Sequence, residues 1–368
     1  MNNVLEQPDD ICSSTGMAYP SPPSSKSAVR RAGKSYQQGS GSDADIQLID
    51  SWRASHGYVI NTFQIWLRRK IQKQPFAVEF AQRLKRRNTV LDKLTRIAPD
   101  GTPLIRDVTS MHDFAGCRLI FDSIDDLTSF REELHSATSM RNVEHKLRHD
   151  LEKYDYIAHP KPTGYRGVHD VFKHTPRSHR RFNGDRPWDG LMVEIQYRTR
   201  AQHAWATAVE ISDLLDDERT KFDLFESNRS RFFTIASELI ARTHENRKHA
   251  LLELTTSELR DELQLLEGEL GIMQRLKLLR QFEEEDKLQT HNVLNIHRDI
   301  DGNLRLDVLP FSTAAQAIEH ASELESDASS LNAVYVRASN PKQLRSAYRN
   351  YFNDPVDFVE LLSEATED

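Results

Sequence analysis

Residues 191–199 read LMVEIQYRT, and their alternation decides the fold. Side chains of a strand point to opposite faces in turn, so Val193, Ile195 and Tyr197 share an apolar side. Glu194, Gln196 and Arg198 share a polar one. A second strand, VHDVFKH (168–174), precedes it across a polar connection containing Gly and Pro. Upstream, GCRLIF (116–121) is a short apolar run, and IDDLTSFREELHSA (124–137) after it suits a helix capped by Ser123. AQHAWATAVEISDLL (201–215) returns to helical spacing. This mixture predicts an α+β fold, a mixed sheet of about five strands flanked by helices.

Working outward, residues 1–44 are rich in Ser, Pro, Gly and Gln and predict a disordered tail. Ile46, Ile49, Trp52, Val59, Ile60, Phe63 and Trp66 then recur at helical intervals, and the spacing predicts a second helix through FAVEFAQRLKRRNTVLDKLTR (76–96) after a break at Pro75. Residues 45–217 form the expected main domain, and 218–288 a helical segment whose Thr255 and Glu258 suit a capping box. The stripe Leu259, Leu263, Leu266, Leu270, Met273, Leu276 is a packing surface, within the chain or between copies. Residues 289–368 read as a small α/β unit: strands NVLNIHR and LRLDVLP about an Asp301-Gly302 turn, a helix, the strand AVYVRA, and a helix begun by Asn340-Pro341. DIDGN is not a calcium loop, because the twelfth position counted from Asp299 is Pro310 rather than Glu.

The chain has 368 residues, 38% hydrophobic and 29% charged, with net charge -7. Overall charge thus announces no nucleic-acid binder, although cations cluster locally. No apolar run is long enough to span a bilayer, and MNNVLEQPDD lacks the pattern of a secretory leader. Cys12 and Cys117 have no zinc-type spacing, and so few cysteines fit a reducing cytoplasm.

Chemistry concentrates in four places. PKPTGYRGVHDVF (160–172) combines stiff prolines with permissive glycines, an arrangement able to present the Tyr165 ring to a base with Lys161 and Arg166 near phosphate. Glu194 stands one strand later, and Asp113 enters HDFAGCRLIF (112–121). Carboxylates from two neighbouring strands suit Mg²⁺, which takes oxygen ligands and keeps substrate phosphates in its shell. Arg118 is placed to pair with phosphate or stack on a base. In RLKRRNTVLDKL (83–94), Arg83 and Arg87 would share a helix face, with Lys85 and Arg86 beside them.

Together RLKRRNT (83–89), DFAGCR (113–118), DYIAHPKPTGYRGVH (155–169) and VEIQYRT (193–199) resemble, in order and spacing, the synthetase domain of the RelA/SpoT family, pyrophosphotransferases that make guanosine alarmones. Thr89 stands where a serine is usual, Thr163 where Asn is, and Gly167 where Ser is common. The resemblance spans roughly 48–215 and implies a nucleotidyltransferase-like sheet. It implies that Asp113 and Glu194 bind Mg²⁺, with Glu194 also engaging the acceptor 3′-hydroxyl. Tyr165 would stack on guanine, His169 and Lys161 would contact acceptor phosphates, and Gln196 would steady Glu194. Arg83 and Arg118 would hold ATP, with Lys85 assisting.

The implied activity is transfer of pyrophosphate from ATP to GDP or GTP, in a cytoplasmic protein without membrane contact and with oligomerisation open. A toxin-like relative would use adenine nucleotides or tRNA 3′ ends instead, with the basic KHTPRSHRRFNGDR (173–186) beside the site. A non-catalytic nucleotide-binding module is the third reading, against which Asp113, Tyr165 and Glu194 all stand intact. His112-Asp113, His149-Asp150 and His169-Asp170 lie inside the synthetase-like region, so no hydrolase is expected.

Overall fold

The strand that carries Glu194 and Gln196 is the centre of the sheet. In the computed structural model, β5 (Met192–Thr199) lies between β2 (Ala115–Phe121), to which it is parallel, and β4 (Val168–Lys173), to which it is antiparallel. β1 (Val78–Leu84) and β3 (Lys146–Leu147) take the edges, both antiparallel to their neighbours, in the order β1-β2-β5-β4-β3. The described residues are 19–85, 87–98, 100–136, 145–175, 187–215, 228–247, 251–278, 289, 291–298, 304–325, 330–337 and 354–367.

One face of this sheet is apolar: Cys117, Leu119 and Phe121 of β2 and Val193, Ile195 and Tyr197 of β5 are all buried. They pack in one core with α2 (Asp43–Ile71) and α4 (Ile124–His135). α2 starts with a reciprocal cap between Ser42 and Asp45, and α4 with the Ser123 side chain accepting from the Asp126 amide. Asp170 reaches the same face from β4 and is fully buried, where Arg131 Nη2 (2.8 Å) and His135 Nε2 (2.7 Å) of α4 meet it. Burial works against its charge, but the His135 and Arg131 hydrogen bonds overcome that and hold its carboxyl at about 2. Asp170 thus ties helix to sheet, while its neighbour His169 points to the opposite face.

Three expectations are corrected. Within the supposed tail, Lys26–Gln37 forms α1, capped by Ser25, with Val29 and Ala32 buried in the main core. Its Gly33 lies so close to Val108 that an added Cβ would fall 2.7 Å from Cγ1. The supposed helix 76–96 divides into edge strand β1 and a short helix α3 (Arg87–Leu94), so Arg83 and Arg87 share no helix face. The C-terminal unit is not self-contained either. β6 (His291–Arg298), β7 (Leu304–Phe311) and β8 (Ser330–Arg337) form an antiparallel sheet in the order β7-β6-β8, but the last helix leaves it.

That last helix packs in a second core with α5 (Arg200–Leu215), α6 (Asn228–His244), α7 (Thr256–Leu270) and α8 (Ile272–Leu278). With α9 (Ala314–Glu325) lying on the small sheet, it is α10 (Asp354–Thr366), and its Phe358 and Leu362 are fully buried. The Thr255–Glu258 capping box forms, and Leu259, Leu263, Leu266 and Leu276 are buried as packing residues of this core. The Asp301-Gly302 turn and the helix placed at Asn340-Pro341 lie outside the described residues. No helix among the described residues is long and apolar enough to cross a membrane.

Two histidines of the main core make a test of the packing. His56 and His174 are 1% and 0% exposed, and burial lowers them to about 4 and about 3. The unfolded chain takes up these protons below about pH 6.5 while the native protein does not. Stability is therefore complete above that pH and lost as it falls toward 4, at about 1.4 kcal/mol per pKa unit for each group. Thermal melts from pH 7 to 4.5 should fall steeply, and His174→Phe should flatten the slope; equal slopes would place the loss elsewhere.

Candidate active site

The polar face is assembled by register. Arg83 of β1 pairs with Gly116 of β2, which pairs with Glu194 of β5; Arg118 pairs with Gln196, and Gln196 with His169 of β4. Cross-strand partners point the same way, so Arg83, Arg118, Glu194, Gln196 and His169 share one face. Gly116 contributes no side chain between Arg83 and Glu194, and a Cβ there would meet only the Arg83 carbonyl at 3.8 Å. The face keeps a bare strip beside its carboxylate.

Glu194 is 7% exposed and held at both oxygens. His169 Nδ1 lies 3.0 Å from Oε1, and Gln196 Nε2 donates to Oε2 at 2.8 Å. His112 Nε2 stands 3.8 Å from Oε1. Burial would raise its carboxyl, but the His169 hydrogen bond and charge, then Gln196, drive it well below the usual range. Glu194 is ionised at neutral pH.

Asp113 follows His112, which brings the second carboxylate to the same end of the face. Lys85, just beyond β1, and Lys93 of α3 each donate to its Oδ2 at 2.7 Å. Burial raises this carboxyl, and the two ammonium charges more than reverse the effect. The other oxygen, Oδ1, is buried with no hydrogen-bond partner. A bare carboxylate oxygen, on the residue after a His112 that lies 3.8 Å from Glu194, fits a hard cation that draws its remaining ligands from water and phosphate. Among the described residues no group of three or more His, Cys, Asp or Glu side chains could form a closed protein cage.

The loop before β4 is anchored from beneath. Gly164, at φ +82°, packs so tightly that a Cβ would come within 3.0 Å of Ser237 and 3.1 Å of Thr234. Ser237 Oγ donates to the Gly164 carbonyl at 2.6 Å. Arg166 turns inward, 2% exposed, to Ser237 (3.0 Å) and to Glu245. It is a strut of the loop rather than the phosphate contact expected of it. Tyr165 remains half-buried, with Lys161 Nζ 5.2 Å and the Arg198 guanidinium 5.3 Å from its ring centroid. Its hydroxyl meets His169 Nε2 at 2.5 Å and receives Arg198 Nη2 at 3.1 Å. Burial would raise the phenol; Arg198 and His169 outweigh it and bring it down to about 8.

Direct contacts join Glu194, Gln196, His169 and Tyr165 in one group and Asp113 with Lys85 and Lys93 in another, with Arg118 on the face of the first. Lys161 is exposed at the loop, and Arg83 is exposed on the edge strand. Sequence reading missed Lys93, His112 and Arg198 as partners of these groups. Lys93 lay within the quoted basic segment, and only the strand-to-helix break after Leu84 brings it and Lys85 to one oxygen. The basic residues 176–186 lie outside the described residues.

Residues 82–212 match the profile of the region found in RelA / SpoT proteins. Over 131 residues the chain is 30% identical to GTP pyrophosphokinase YjbM of Bacillus subtilis, a match covering 35% of this chain and 54% of that protein. The chain thus spans about half the length of this relative. Among solved structures, the small alarmone synthetase 1 from Bacillus subtilis bound to its product pppGpp aligns at 22% identity and TM-score 0.39. The same enzyme bound to AMPCPP aligns at 19% and 0.34; both alignments cover 57% of this chain and 94% of the other. Residues 82–212, the segment similar to the region found in RelA / SpoT proteins, hold Asp113, Tyr165 and Glu194.

Proposed function

We propose that the protein transfers pyrophosphate from ATP to the 3′-hydroxyl of GDP or GTP. The observation that carries this reading is the ionised Glu194, held at both oxygens, together with an Asp113 whose second oxygen has no hydrogen-bond partner and suits a cation. Mg²⁺ held by Asp113 and Glu194 would neutralise charge on the phosphates. Lys85 and Lys93 stand ready to move from Asp113 to phosphate oxygens, and Arg83 and Arg118 serve ATP.

The acceptor oxygen forms a bond to the β-phosphorus, the bond from that phosphorus to the α-bridging oxygen breaks, and AMP departs. Glu194 accepts the hydroxyl proton. Its low proton affinity is no obstacle, because a loose phosphoryl-transfer transition state develops little early nucleophile charge, and catalysis rests on positioning and electrostatics.

Tyr165 is the acceptor platform in this reading. Aromatic–base stacking contributes about 1–3 kcal/mol, so Tyr165→Ala should raise the acceptor KM roughly fivefold to a hundredfold. Tyr165→Phe keeps the ring but loses the hydroxyl that His169 and Arg198 hold, so its rise in acceptor KM should be much smaller than that of Tyr165→Ala, and neither change should alter the KM for ATP. Steady-state kinetics with each nucleotide varied in turn reads both. An alanine variant with unchanged acceptor KM would remove Tyr165 from base recognition.

A further inference from the structure

His169 joins the acceptor loop to the catalytic strand through its two ring nitrogens. Nδ1 lies 3.0 Å from Glu194 Oε1, and Nε2 lies 2.5 Å from the Tyr165 hydroxyl. An ionised carboxylate only accepts, so Nδ1 must carry the hydrogen. In the neutral ring Nε2 then accepts from the phenol, and in the imidazolium Nε2 donates to the phenol oxygen; either way the ring bridges Glu194 and Tyr165. Arg198 Nη2, a donor only, completes the order at 3.1 Å from the phenol oxygen. Two directions are fixed in either charge state: Arg198 donates to Tyr165, and His169 Nδ1 donates to Glu194. Gln196 holds the opposite oxygen of the same carboxylate.

The backbone supports this placement. His169 is fixed in the ladder opposite Gln196. Gly167, at φ +143°, bends the chain so closely that a Cβ would lie 3.3 Å from the Tyr165 hydroxyl and 3.2 Å from the Tyr197 carbonyl. With both nitrogens engaged, the ring has no free polar atom for an acceptor phosphate.

We propose that His169 is a positioning residue that orients Glu194 through Nδ1 and fixes the Tyr165 ring through Nε2, so that seating of the acceptor base and alignment of the attacking hydroxyl are set by one imidazole. The proposal rests on the pyrophosphate-transfer reading and replaces phosphate contact as the role of this side chain.

Asparagine places an amide near Nδ1, where its NH₂ can donate to Glu194, and glutamine places one near Nε2, where its carbonyl or NH₂ can meet the Tyr165 hydroxyl, which separates the two functions. Losing a partner that orients a ligand or base costs about 10–100-fold, so His169→Ala should lose that much kcat and also raise acceptor KM. His169→Asn should recover most of kcat while keeping the raised KM. His169→Gln should recover KM and not kcat. Losses should be equal for GDP and GTP, with ATP KM unchanged and circular dichroism like wild type in all three variants. A kcat unchanged in His169→Ala, or a loss confined to KM and larger for GTP than for GDP, would overturn the proposal in favour of phosphate contact. Imidazole ¹⁵N–¹H correlation on the ligand-free protein gives a readout independent of turnover: hydrogen on Nδ1 is expected in either charge state, and a ring with hydrogen on Nε2 alone overturns the contact to Glu194. A wild type inactive on every acceptor would defeat the transfer reading itself, and the tautomer alone would then decide whether the ring holds Glu194.

Discussion

Glu194→Gln should fold and lose pyrophosphate transfer by at least about a hundredfold, the scale of removing a positioned base. The wild-type carboxylate sits between two donors, His169 Nδ1 and Gln196 Nε2, and accepts from both. An amide of the same shape has one accepting oxygen, so one of the two donors must face its NH₂ group. The substitution therefore removes the charge, the proton acceptor and the orientation together. Circular dichroism and melting temperature establish that the variant is folded, and single-turnover transfer gives the loss. Near-normal transfer by a folded Glu194→Gln protein would take this residue out of the chemistry.

Asp113→Asn should be nearly as damaging, through a different route. The single oxygen Oδ2 holds the Lys85 and Lys93 ammonium groups at 2.7 Å each, and its partner Oδ1 is buried and bare. Replacing the carboxylate removes the anionic oxygen available to a cation and leaves two ammonium charges without the anion between them. Loss of a group that merely orients a metal ligand costs about 10–100-fold; loss of the ligand itself should fall by at least that much. The half-saturating Mg²⁺ concentration should rise with the loss of activity, because a hard cation has lost an anionic ligand. A metal titration of wild type and variant reads both effects. Wild-type transfer undiminished in excess EDTA would contradict the two-carboxylate arrangement.

The strands that carry the chemistry were legible because each is bounded by turn residues and alternates cleanly, as at Val193–Thr199. β1 was not, because an edge strand is protected by charge and polarity, and Glu79, Gln82 and Arg83 blur the period of Val78–Leu84. α1 was hidden by its surroundings: twelve residues between Ser-, Pro- and Gly-rich flanks, held by Val29, Ala32 and the close approach of Gly33 to Val108. Val108 lies 75 positions after Gly33, a distance that local pattern does not record. α10 reads as an amphipathic helix wherever it packs, and its return to α5 and α6 is a tertiary fact.

The site divides along the same line. Asp113, Tyr165 and Glu194 stand in dense, quotable motifs, whereas their partners come from other elements. Arg166 illustrates the limit: a cation beside a candidate nucleotide loop reads as a phosphate contact, but Glu245 and Ser237, about seventy to eighty residues later, draw it inward.

The account is tested most directly by ATP labelled at the β-phosphate, incubated with the protein and Mg²⁺ and offered GDP, GTP, ADP, ATP and tRNA in separate reactions. Label should appear on GDP and GTP as a 3′-pyrophosphate, with AMP released in equal amount, and should be lost in Glu194→Gln. Label moving to tRNA or adenine nucleotides but to neither guanine nucleotide would contradict it.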